Sequence, residues 1–297
     1  MTLLFLTFFL MLFPFHLYGW GGVAHYYFGQ LILENAGLIS STAAAVIVEY
    51  PYDFLYGLLA ADIIIGKKYT TWENHSHNWE VAFSLFTLAD REYKVSFVWG
   101  YLSHLAMDVI AHNFFLPEMF IRYYHGKMRN HSYWEMKFET CFPDSVWLSI
   151  RKVEKGAHRE DDEVLRAGLK PTLFSFAINR RLFDLLSLQR RVRAWKNVIR
   201  RISTRSIYKI PEDRRDFYIN RSVDAALDIL ENGENAFITS LDPTGRSSIR
   251  NGFQIKRKLR ELRDIAGEEV VNSLILENIP QIPAGKFSLR GNREDGV

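Results

Sequence analysis

Cysteine is nearly absent from this 297-residue chain: Cys141 stands alone, which excludes an intramolecular disulfide framework and any cluster of thiolates around zinc. Charge of one sign is lacking too. The 37 Lys and Arg against 34 Asp and Glu leave a formal +3, which by itself argues for neither nucleic acid nor a membrane as partner. No glycine-rich phosphate loop, internal repeat or convincing apolar/polar alternation appears, so nucleotide-cradling loops and sheets are not expected. An all-α chain is what these absences leave, and 48% hydrophobic content is enough for a large core, as one big domain or two smaller ones. Histidine is almost missing from the second half. Eight of the nine histidines lie at or before His131, and only His158 lies beyond. A soluble domain does not need histidines gathered in this way, whereas a polynuclear zinc site built without cysteine does.

Long apolar runs are scarce, with one partial exception at the start. Residues 1–19 form an apolar run closed by Pro14 and the small Gly19, the shape of a secretory signal cut after Gly19, although no Lys or Arg precedes the run and Leu17 is a mediocre residue near the cut. Such a cut makes Trp20 the first residue of an exported protein, periplasmic, envelope-bound or secreted. An N-terminal membrane anchor is the alternative, but the uninterrupted stretch falls short of the roughly 20 residues that a spanning helix needs.

The stretch Gly100 to Asn113 carries His104, Asp108 and His112, each four residues from the next. Each four-residue step on a helix drifts by only about 40°, so the three side chains share one stripe, with the outer histidines roughly 12 Å apart along the axis. That is too far for one ion. Asp108, between them, can bind on both sides, which makes the stripe the spine of a multinuclear site; a pair of buried histidines hydrogen-bonded around an aspartate is the plainer alternative. Elsewhere, His25 follows Trp20 by five residues, and Asp62 is a lone carboxylate in an apolar run, where it needs a cation or dense hydrogen bonding unless it caps a helix near Gly66. His75 and His77 sit in a polar segment and point different ways, so one of them is expected to be a ligand. His131 and Glu135 share one helix face at the spacing that lets two ligands reach one metal. His125, among basic residues, reads as a surface histidine.

Taken together, Trp20, His25, Asp62, His77, His104, Asp108, His112, His131 and Glu135 resemble the bacterial zinc-dependent phospholipase C family, whose relatives include single-strand-specific zinc nucleases and glycosylphosphatidylinositol-specific phospholipase D. The resemblance covers Trp20 to Glu139. It implies a multi-helix bundle with three zinc ions: one held by Asp62, His77, His104 and Asp108, a second by His112, His131 and Glu135, and a third by Trp20, including its main chain, with His25 and the shared Asp108. His77 is preferred to His75 because its fifteen-residue distance from Asp62 looks like the nuclease branch. The implied reaction is phosphodiester hydrolysis with Asp62 taking the water proton, and Glu73 or Glu80 as substitutes. His131-x3-Glu135 looks like the phospholipases. The five-residue interval from Trp20 to His25 looks like the nucleases, and the short step from Asp108 to His112 looks like the glycosylphosphatidylinositol-cleaving branch. A phospholipid is the expected substrate, single-stranded nucleic acid the rival, and a membrane-associated binding protein without turnover a third possibility.

The expected division is a signal at 1–19, a zinc-binding core at 20–145, a helical C-terminal region at 146–284 and a loose tail at 285–297. Phe174 to Ile202 reads as a long amphipathic helix, and the basic residues of 180–205 decorate it, either as a surface for anionic lipid or as an ordinary solvated face. Val223 to Leu230 and Lys256 to Leu276 are predicted helices, and Asp242 to Gly245 a turn.

Overall fold

The computed structural model describes residues 20–64, 71, 75–126, 131–156, 158–170, 174–191, 208–284 and 286–287. The segment 1–19, Glu73, the basic residues 192–205 and the tail from 288 lie outside the described residues. Among those described there is no strand.

Helix α1 (Gly22–Asn35) starts immediately after Trp20, earlier than the apolar pattern from Tyr26 indicates. Glu139 explains the early start. Its Oε1 accepts from the Val23 amide at 2.8 Å, satisfying one of the donors that a helix N-terminus leaves open, where Gly21 has no side chain to do so. Helix α2 (Thr42–Glu49) is followed by α3 (Pro51–Ala60), in which Pro51 both ends the first and opens the second, since a missing N–H costs nothing at the first helical position. Asn78 caps α4 (Trp79–Ser84), accepting from the Glu80 amide at 2.8 Å.

The central element is α5 (Glu92–Ile110), buried along most of its length from Ser96 onward. The sequence predicts an unbroken α-helix through Phe115. The chain instead widens into a π-helical turn at Ala111–Phe115, where the Leu116 amide donates to the Ala111 carbonyl, before α6 (Leu116–Arg122) resumes the tighter winding. Such turns insert one residue into a helix and re-aim the side chains around it, here including His112.

Helix α3 packs more extensively on α5 than on any other element, and the two backbones touch at Gly57 and Gly100. A Cβ on Gly100 would stand 2.1 Å from the Phe54 carbonyl oxygen, and one on Gly57 2.1 Å from that of Phe97. Only paired glycines permit this approach.

Helices α7 (His131–Glu139), α8 (Asp144–Glu154), α9 (Arg159–Gly168) and α10 (Phe176–Arg191) follow. Helix α11 (Glu212–Asn232) then lies along α5 and adds Tyr218, Val223, Leu227 and Leu230 to the same core that Trp20, Phe28 and Phe115 occupy. Its anchor is Glu118, fully buried in α6, which accepts from Arg122 and from Arg214 Nε at 2.9 Å and from the Tyr218 hydroxyl at 2.5 Å. The predicted Lys256–Leu276 helix is two helices, α12 (Arg246–Ala266) and α13 (Glu268–Asn278), because Gly267 turns the chain at φ +87, a conformation L side chains rarely adopt. No helix among the described residues is long and apolar enough to cross a membrane.

Candidate metal centre

The fold draws the first-half ligand types onto one face of α5. Asp108 is fully buried, and its two oxygens face different partners. Oδ1 stands 3.2 Å from His25 Nε2 and accepts from the Trp20 main-chain nitrogen at 3.2 Å. Oδ2 stands 3.2 Å from His77 Nε2 and 3.3 Å from His104 Nε2 without hydrogen-bond geometry to either. Asp62, directly after α3, completes the second set with Oδ1 3.5 Å from His77 Nε2 and 3.9 Å from His104 Nε2. Two triads with ligand atoms within 4.8 Å of one another result, His25–His104–Asp108 and Asp62–His77–His104.

Each side chain is held by an identifiable contact. His104 Nδ1 lies 2.7 Å from the Leu58 carbonyl oxygen, one residue from the glycine crossing; donation there makes Nε2 the acceptor that faces the cluster. His25 stacks on His104 with ring centroids 3.8 Å apart. His77 is placed by a loop that Tyr101 pins to α5, its hydroxyl donating to the Ser76 carbonyl oxygen at 2.5 Å. His75 lies outside both triads; its Nδ1 accepts from the His77 amide at 3.0 Å. Trp20 is boxed by Phe28, Phe115, Phe138 and Tyr218, and its indole N–H donates to Ser222 Oγ at 3.1 Å, which fixes its main chain against Asp108.

His112, His131 and Glu135 are all buried, and His112 is close enough to Asp108 to contribute to its charge environment. His112 is oriented from the far end of the chain. Its Nδ1 lies 2.5 Å from the Pro243 carbonyl oxygen, and Gly245, at φ +53, rests against its backbone. The Asp242–Gly245 turn is closed by Asp242, whose Oδ1 accepts from the Thr244 amide at 2.8 Å. This turn, Glu139 and the Gly57–Gly100 pair are positioning features that local patterns do not reveal, because each acts on residues far from it in sequence. Glu80 is exposed and belongs to neither triad.

A cation fits this arrangement. Four ligands at zinc distances of about 2.0–2.1 Å in a tetrahedron stand about 3.3–3.4 Å apart, close to the separations around His77, His104, Asp62 and Asp108. Burial works against the charge of Asp108, yet His104, His112 and His25 together hold its carboxyl well below the ordinary range. His25 is pushed down from 6.5 to about 4, by burial first and by His104 second, against the pull of Asp108, so it is a neutral, ligand-competent imidazole at pH 7.

The sign for stability follows from His25. Its folded pKa lies below its unfolded one, so the unfolded chain binds the proton first as pH falls, and the contribution to stability is complete above 6.5 and lost toward 4. With 1.36 kcal/mol per unit, metal-stripped protein is expected to lose about 2 kcal/mol of unfolding free energy between pH 7 and pH 5. Urea titrations in chelator at the two pH values measure this, and His25→Gln should flatten the difference.

An all-α bundle with two interlocked His/Asp triads on its central helix is the architecture of a metalloprotein that uses nitrogen and oxygen ligands. Residues 24–186, more than half of the chain, match the family model for zinc dependent phospholipase C, and the chain belongs to that family. No curated protein and no solved structure matches it.

Proposed function

We propose that this protein is an exported zinc-dependent phosphodiesterase that hydrolyses phospholipids in the manner of a phospholipase C. The observation that carries the reading is the division of Asp108 between two ligand sets, Oδ1 toward Trp20 and His25, Oδ2 toward His77 and His104. A carboxylate so shared suits a bridge between two ions. Asp62, His77, His104 and Asp108 would hold one zinc, His25 and the Trp20 main chain with Asp108 a second, and His112, His131 and Glu135 a third. Bound zinc supplies charge neutralisation at the phosphoryl oxygens and lowers the pKa of water to about 7.

The protein's own groups do the rest. Asp62 is 14% exposed while Asp108, His25 and His77 are at most 1%, so among these it is the group open to incoming substrate and the candidate to accept the water proton. Holding Trp20 in its aromatic box places the main-chain nitrogen where a signal cut after Gly19 would create an amine, and export is therefore part of the proposal. Contact with anionic lipid through the basic residues of 180–205 is also proposed. Arg180 is not available for it, since its Nε donates to Asp162 at 2.9 Å.

A single-strand-specific nuclease is the second reading, favoured by the Trp20–His25 interval. One experiment separates the two. The mature protein is offered phosphatidylcholine vesicles and single-stranded DNA in parallel, with its N-terminus sequenced. Water-soluble phosphate esters released from vesicles, lost with chelator and restored by zinc, from a chain beginning at Trp20, are expected. Mononucleotides alone would transfer the assignment to the nucleases, and no release from either would leave a binding protein.

A further inference from the structure

At the end of α3 opposite Asp62, a second group of ligand-type side chains converges that the hydrolytic centre does not use. Asp53 in the first turn of α3, His158 just before α9 and Asp161 in the first turn of α9 bring their ligand atoms to within 4.8 Å of one another. Nine residues of helix put Asp53 about 13 Å from Asp62, too far to share an ion.

The imidazole is held in a defined orientation. His158 Nε2 lies 2.8 Å from the Val153 carbonyl oxygen, to which it donates, and Nδ1, the acceptor nitrogen of the neutral ring, faces Asp161 Oδ2 at 3.5 Å. The ring lies flat on Tyr56, with centroids 3.6 Å apart and planes 6° from parallel. Asp161 is 2% exposed, and its Oδ1 has no hydrogen-bond partner. Arg180 is already committed: it binds Asp162, which also accepts from the Tyr56 hydroxyl. Among the described residues neither Asp53 nor Asp161 forms an ion pair with Lys or Arg. Burial, then Asp161, pushes the Asp53 carboxyl up to about 6 against the pull of His158.

Two carboxylates and an imidazole nitrogen converge here, with one carboxylate oxygen buried and unsatisfied, a set that a positive charge at its centre would satisfy. We propose that Asp53, His158 and Asp161 hold a structural divalent cation of the zinc type, which ties the start of α3 to the start of α9. One nitrogen and two carboxylate oxygens are a zinc-compatible set, with water as fourth ligand on the half-buried side of Asp53. The near-complete burial of His158 and Asp161 shuts out a phosphodiester, so the ion's role would be to hold the helices.

Zinc titrated into chelator-stripped mature protein and followed by calorimetry tests this, comparing the unsubstituted chain with Asp161→Asn, Asp53→Asn and His104→Ala. Asp161→Asn and Asp53→Asn are each expected to bind one zinc fewer than the unsubstituted chain, while His104→Ala keeps that binding event although its hydrolytic cluster is damaged. Asp53→Asn, at the half-buried position, carries the test if Asp161→Asn does not fold. A full zinc complement in the folded asparagine variants overturns the proposal and identifies a proton, not a metal, as the shared charge. Because the readout is a difference in zinc bound, it stands whether or not the protein proves to hydrolyse phospholipids.

Discussion

Asp108→Asn is expected to lower hydrolysis by about 10³-fold or more and to strip zinc from the main cluster, while the helical content is unchanged. Asparagine has nearly the same shape, so the packing around the fully buried side chain survives. What disappears is the negative charge and one of the two oxygens that divide between His25 and Trp20 on one side and His77 and His104 on the other. A metal contributes several kcal/mol of charge stabilisation to a phosphoryl transition state, and at 1.36 kcal/mol per tenfold a loss of about 4 kcal/mol gives the stated factor. Turnover on vesicles, zinc content and circular dichroism of the same preparation measure the three parts. Activity within tenfold of the parent chain would mean that Asp108 bridges nothing.

The second large effect concerns a residue with no chemistry. Gly100→Ala should lower the melting temperature by about 5–10 °C and lower activity as well. The added Cβ would meet the Phe54 carbonyl oxygen at 2.1 Å, its carbon at 2.9 Å and the Gly57 Cα at 3.1 Å, all backbone atoms that cannot rotate away. Forcing extra atoms into a packed interior costs about 1–3 kcal/mol and occasionally more, and this contact belongs at the upper end. For a chain of this size each kcal/mol corresponds to about 2–4 °C. Activity follows because α3 carries both the Leu58 carbonyl that orients His104 and, at its end, Asp62. Parting the helices displaces two groups of the cluster together, and disturbing such outer contacts typically costs 10–100-fold. Gly37→Ala, where nothing lies within 4 Å, is the control and should leave stability within about 0.5 kcal/mol. Equal melting temperatures for the two variants would show that the crossing tolerates separation.

The helical class, the four-residue rhythm of His104, Asp108 and His112, the i, i+4 pair His131 and Glu135, and the choice of nitrogen and oxygen over sulfur ligands were all legible in the order of residues. Each depends on short-range periodicity or composition, which one strand of text carries in full. The same text could not show that α5 widens into a π turn at Ala111, that Gly267 divides the last long helix, or that Pro243 reaches back to His112 across 131 positions. Nor could it show that His158, which looks isolated in sequence, meets Asp53 and Asp161, or that Asp108 turns one oxygen to each of two partner sets. Sequence by itself determined which donors exist and which of them share a helix face. Tertiary structure alone decided which donors meet, because that depends on how closely two helices cross and on turns closed far along the chain, and both are set by packing that no local pattern encodes.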